Sequence, residues 1–150
     1  MDIYTDGGCR NNQQINNIGA WAYFIPELNV QDSGIWYKTT NNQMELKAAI
    51  EALKKAEQLN LKKVSLYIDS EYVVLGITSW IYKWIKNDWK KSSKKPVLNK
   101  KLWVEFFDLT KKFEINFIKV KGHSDNEYNN YVDKLANDKM DEIGEDKWKY

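Results

Sequence analysis

Four carboxylates in this 150-residue chain stand where side chains that seek water are not expected. Asp6 closes a short β-like run over residues 2–6, immediately before Gly7-Gly8. Asp69 closes the alternating run 63–68 and precedes Ser70. Glu45 shares a helical stripe with Ala49, Ala52, Ala56 and Leu59 within 41–59, and Asp133 shares one with Ala136 and Met140 within 127–140. Each has an ordinary explanation. Asp6 suits a turn, Asp69 an N-cap, Glu45 the dipole of a first helical turn, and Asp133 a solvated surface. Together, two acids at strand ends and two on packing faces of helices point to one crevice. In open α/β sheets that crevice is where ligands bind. Carboxylates ~4–6 Å apart raise one another's pKa unless a cation neutralises them. Oxygen donors without a Cys or His cluster favour Mg²⁺ or Mn²⁺ over zinc. The pattern predicts a hydrolytic site built on divalent metal.

The elements that must position these acids follow from hydrophobic periodicity. Residues 20–25 and 34–39 read as antiparallel strands after the first. Helix 41–59, strand 63–68, helical pieces 71–80 and 81–89, helix 100–112, strand 114–120 and helix 127–140 complete the order. Three strands followed by alternating helices and strands predict an α/β fold with a five-stranded mixed sheet covered by helices. From about Gly144 the pattern fades, so residues 144–150 are expected to be a C-terminal tail to a domain spanning 1–143.

Composition narrows the class. The net charge is only +2, yet residues 83–101 hold eight lysines and one acid, a local +7 that leaves −5 for the rest. A polyanion responds to local potential, so this basic block, interleaved with Trp84 and Trp89, is a candidate nucleic-acid surface. The alternative is a merely solvated face. The lone Cys9 excludes an internal disulfide, no apolar run spans a membrane, and the N-terminus lacks a signal-peptide pattern. A reducing, cytoplasmic setting is expected.

At these residues the chain resembles type 1 ribonuclease H, which cuts the RNA strand of RNA–DNA hybrids. YTDGGC around Asp6, TNNQMEL around Glu45, YIDSEYV around Asp69 and VKGHSDNEYNNYVDKLAND through His123 and Asp133 match the family's four blocks in order. The segment WIYKWIKNDWKKSSKKPVLNKKLW resembles its basic protrusion, here 83–101. The resemblance implies a ribonuclease H-like fold with three antiparallel strands first. It implies metal ligands at Asp6, Glu45, Asp69 and Asp133, two Mg²⁺ ions (Mn²⁺ a possible substitute), and products with 5′-phosphate and 3′-hydroxyl ends. His123 falls at the family's auxiliary catalytic histidine. Cys9, Asn12, Asn41 and Asn42 fall at its minor-groove positions, where side-chain amides can read 2′-hydroxyls. Glu71 replaces a frequent Gln, and Asp125 a frequent Gly. Lys86, Lys90, Lys91, Lys94 and Lys95 are the candidate phosphate contacts. Met1 directly before the first strand predicts a free-standing enzyme rather than a domain of a reverse transcriptase. A monomer without an obligate protein partner or membrane contact is expected.

Overall fold

The computed structural model describes residues 1–10, 17–120 and 126–148, with the side chains of the last helix described as far as Glu142. Strands β1 (Asp2–Arg10), β2 (Ile18–Ile25) and β3 (Val30–Tyr37) form an antiparallel meander. Strands β4 (Lys63–Ile68) and β5 (Glu114–Lys119) continue the sheet parallel to β1, in the order β3-β2-β1-β4-β5. The mixed sheet expected from the sequence is the one observed.

Alternation along the strands divides the side chains between two faces. Ile3, Ile25, Leu66 and Ile68 meet helix α1 (Asn41–Gln58) and helix α4 (Lys100–Thr110) in the main core, where Trp103 and Phe106 are fully buried. Thr40 starts α1 by accepting a hydrogen bond from Gln43 N at 3.1 Å, which satisfies one of the helix's orphan amides. Helix α5 (Glu127–Trp148) covers the other face, packing Ala136 and Met140 on Ala20 and Ala22.

Between β4 and α4 the chain runs through α2 (Glu71–Leu75), a π turn (Gly76–Trp80) and α3 (Ile81–Lys86). A Cβ on Gly76 would lie 2.1 Å from the Trp103 ring, so only glycine lets the turn approach it. The helix expected to reach Trp89 ends at Lys86, because Asp88 and Trp89 adopt positive φ of 55° and 59°. A hairpin-like excursion follows, with a Lys90–Pro96 bridge and a bond from Val97 N to Trp89 O at 3.1 Å. Trp84 roots it, with ring centroids 5.3 Å from Trp103 and 6.1 Å from both Trp80 and Trp89. Lys90, Lys91, Lys94 and Lys95 are exposed on it, and Lys86 is exposed at the end of α3.

Two other boundaries differ from expectation. β1 does not turn at Gly7-Gly8 but remains paired with β2 as far as Arg10 opposite Ile18. Helix α5 runs past Gly144 to Trp148, since one glycine lowers helix stability without ending a run of good helix formers.

Candidate active site

The parallel pairing of β1 with β4 stops at Thr5 opposite Ile68, so the next residues, Asp6 and Asp69, stand side by side at the strand ends. Asp6 is still paired with Ala22 of β2, which fixes its backbone, and its Oδ1 accepts from Gly7 N at 2.9 Å. Glu45 reaches it from the first turns of α1. The approach depends on Gly7, where a Cβ would lie 2.3 Å from the Met44 carbonyl carbon and 2.5 Å from Glu45 N. The Gly-Gly pair therefore admits a helix backbone rather than making a turn. That role leaves no mark separable from a turn signal in the sequence, except that glycine within a strand often marks a close approach.

Asp6, Glu45, Asp69 and Asp133 all line one cleft of about 250 Å³, together with Cys9, Arg10 and Asn41. Asp6 and Glu45 form its buried floor at 6% and 9% exposure. Asp133 reaches the cleft from α5, as its helical stripe predicts, and is exposed at the rim, one turn before Ala136 makes the helix's contact with the sheet. Asp69 is half-buried, and it is not the cap of α2, because Ser70 Oγ accepts from Val73 N at 3.2 Å.

Burial pushes the Asp6 carboxyl up to about 7, with the Asp133 and Asp69 charges adding to the shift and a hydrogen bond with Glu45 opposing it. Burial likewise holds Glu45 well above the usual carboxylate range, reinforced by Asp6 and Asp69. Glu45 Oε2 is buried with no hydrogen-bond partner. An orphaned acceptor between crowded acids is a place for positive charge. Among the described residues no three His, Cys, Asp or Glu side chains form a closed metal cage as they stand, so the preformed part is the Asp6–Glu45 pair. An all-oxygen donor set of this kind fits a hard divalent cation.

Other expected site residues divide by location. Asn41 lines the cleft, and Asn42 is exposed beside it on the first turn of α1. Burial raises the Cys9 thiol, whose Sγ donates to the Thr39 and Arg10 carbonyls at 3.6 Å, so it is no ready nucleophile. Glu71 is exposed on the first turn of α2 and is not among the residues lining the cleft. Asn12, His123 and Asp125 lie outside the described residues.

Two cations near the acids have no local signature in the sequence. Arg10 borders the cleft and ties β1 to α5, through Asp141 at 2.6 Å and the Asn137 carbonyl at 3.3 Å. Lys119, at the end of β5, places Nζ 4.0 Å from Asp69 Oδ1. The register of β5 on β4 puts it there, which no local pattern reveals.

A sequence model of the RNase H family matches residues 1–141. The chain is 50% identical over 144 residues to a Ribonuclease H of Clostridium botulinum, covering 94% of this chain and 95% of that protein. Its structure is similar to LC9-RNase H1, a type 1 RNase H with the type 2 active-site motif. That likeness has a TM-score of 0.74 at 27% identity, over 90% of this chain and 69% of the other. A foamy viral protease–reverse transcriptase in complex with RNA/DNA hybrid shares the fold, with a TM-score of 0.79 at 22% identity over 92% of this chain and 19% of that one. Near-complete coverage at half identity, on a sheet of matching design, leaves one conclusion: the chain belongs to the RNase H family.

Proposed function

We propose that this chain is an endoribonuclease that hydrolyses the RNA strand of RNA–DNA hybrids, leaving 5′-phosphate and 3′-hydroxyl ends. The observation that carries the reading is the buried Asp6–Glu45 pair, with Glu45 Oε2 unpartnered, in a cleft shared with Asp69 and Asp133. Asp6, Glu45, Asp69 and Asp133 would hold two Mg²⁺ ions, or Mn²⁺ in their place. Bound there, the ions supply the positive charge that activates a water and stabilises the leaving 3′ oxygen of an in-line displacement.

The protein's own groups do the rest. Asp6 and Glu45 are held rigidly by β1 and α1, so the site's geometry costs little reorganisation when substrate arrives. His123 acts as an auxiliary group that moves a proton during turnover or product release. Asn12, Asn41, Asn42 and Cys9 face the minor groove, where amides that donate and accept distinguish 2′-hydroxyls from deoxyribose. Lys86, at the end of α3, and Lys90, Lys91, Lys94 and Lys95, on the excursion that follows it, contact phosphates. No helix among the described residues is long and apolar enough to cross a membrane, and we take the working form to be a cytoplasmic monomer.

The test is a comparison of substrates. Labelled RNA–DNA hybrid, duplex RNA, duplex DNA and single strands are incubated with Mg²⁺, alongside Asp69→Asn. Cleavage confined to the RNA of the hybrid, and lost in the variant, supports the reading. Cleavage of duplex DNA, or equal activity in Asp69→Asn, overturns it.

A further inference from the structure

A chain of directed hydrogen bonds joins the start of α1 to the root of the basic excursion. Thr39, 2% exposed, is locked by Asn17, which donates Nδ2 to the Thr39 carbonyl and accepts from Thr39 N, both at 2.7 Å. Thr39 Oγ1 donates to Gln43 Oε1 at 2.9 Å, and Gln43 Nε2 donates to Asn99 Oδ1 at 3.1 Å. Asn99 Nδ2 then donates to the Tyr72 hydroxyl at 3.2 Å, which also receives Trp103 Nε1 at 3.0 Å. Both amides spend their oxygen and their nitrogen on the chain, so neither can rotate without breaking it. Asn99 holds a positive φ of 62°, a conformation that needs support from its surroundings. The Gln43–Asn99 bond spans 56 residues of sequence.

We propose that Gln43 is a positioning residue. Through Asn99 it fixes the lysine-bearing excursion relative to the Asn41–Asn42 turn and the catalytic cleft, so that one rigid duplex can engage both at once. The inference rests on the hybrid-cleaving reading above. Gln43 lies between two substrate-facing regions and belongs to neither: Asn41 and Asn42 precede it on α1, and Asn99 closes the excursion immediately before α4. With the bond intact, the spacing of the two regions is set before binding. Without it, the excursion samples several placements, and apparent affinity falls by the fraction that fits the duplex.

The test compares the wild type with Gln43→Leu, Tyr72→Phe and the double variant. For each, kcat and KM for hybrid cleavage are measured, together with hybrid binding in EDTA by fluorescence anisotropy across a salt series. Gln43→Leu is expected to raise KM and the dissociation constant roughly 5–10-fold, as when only 10–20% of molecules are placed to bind. It is expected to leave kcat within twofold and to flatten the salt slope as lysine contacts are lost. Tyr72→Phe acts on the same chain, so the double variant should be no worse than the poorer single variant. It also provides the test should Gln43→Leu fail to fold. A folded variant with lower thermal stability but unchanged KM and salt slope would overturn the proposal, as would a loss confined to kcat. If the wild type itself neither binds nor cuts hybrid, the hybrid-cleaving reading has failed; if only the variants match the wild type, the positioning role alone has failed.

Discussion

Asp6→Asn should make the metal-free protein more stable, and the gain should depend on pH. In the folded chain Asp6 is pushed from 3.8 up to about 7, mainly by burial and then by its acidic neighbours. A folded-state value above the unfolded one means that the native state binds the proton more tightly. Stability is therefore fully present below about 4 and is lost as pH rises through about 7. At ~1.4 kcal/mol per pH unit, the interval between those values sets an upper bound of about 4 kcal/mol at pH 8. Asparagine is isosteric, carries no charge and keeps an oxygen to accept from Gly7 N. The expected gain in EDTA is thus about 2–4 kcal/mol at pH 8, roughly 6–12 °C in Tm for a chain of this size, and under about 0.5 kcal/mol at pH 4. Saturating Mg²⁺ should stabilise the wild type more than the variant and so narrow the gap, by ~2.7 kcal/mol at a hundred times the dissociation constant. Urea denaturation at pH 4, 6 and 8, with EDTA or Mg²⁺, measures all of this. A variant no more stable than the wild type at pH 8, or one equally stabilised at pH 4 and pH 8, would refute the reasoning.

Three further outcomes follow from particular contacts. Gly7→Ala should destabilise the fold by about 1–3 kcal/mol and cut activity more than tenfold, because its methyl collides with the α1 backbone. Gly8→Ala, which meets nothing within 4 Å, should change stability by less than about 0.5 kcal/mol; equal effects in calorimetric scans would contradict the assigned approach. Neutralising Lys94 and Lys95 together should raise KM, spare kcat and reduce the salt slope by about 1.8, and an unchanged slope would show that neither touches phosphate. His123→Ala should slow turnover ~10–100-fold without abolishing it, whereas wild-type turnover would remove its auxiliary role.

What the sequence could convey differed from residue to residue. Strand identity and order came through because apolar alternation and the α1 stripe are local signals, and Glu45 was visible as a carboxylate among alanines. That Asp6 lies on a strand and Asp69 follows one is legible locally, but that the two strands are neighbours, and why β1 carries Gly7, are not. A turn and a strand pressed by a helix call for the same residue, and only the tertiary approach of Met44 separates them. Helical periodicity also placed Asp133. It shares the stripe of Ala136 and Met140 and lines the cleft, and it is exposed because it stands at the rim, beyond the contact of that stripe with Ala20 and Ala22. The π turn at Gly76 and the arginine strap from β1 to α5 also arise from long-range packing, which composition and spacing do not encode.

The central claim is that the crowded Asp6–Glu45 pair exists to hold divalent metal. Its most direct measurement is calorimetric titration of the wild type and Asp6→Asn with Mn²⁺ at pH 6.5, in two buffers of different ionisation enthalpy. Because Asp6 retains its proton to about 7 and Glu45 is also raised, cation binding must expel a proton. The observed heat should therefore differ between buffers for the wild type, and both binding and the buffer difference should fall away in Asp6→Asn. Wild-type binding with no buffer dependence, or unchanged binding in the variant, would contradict the account.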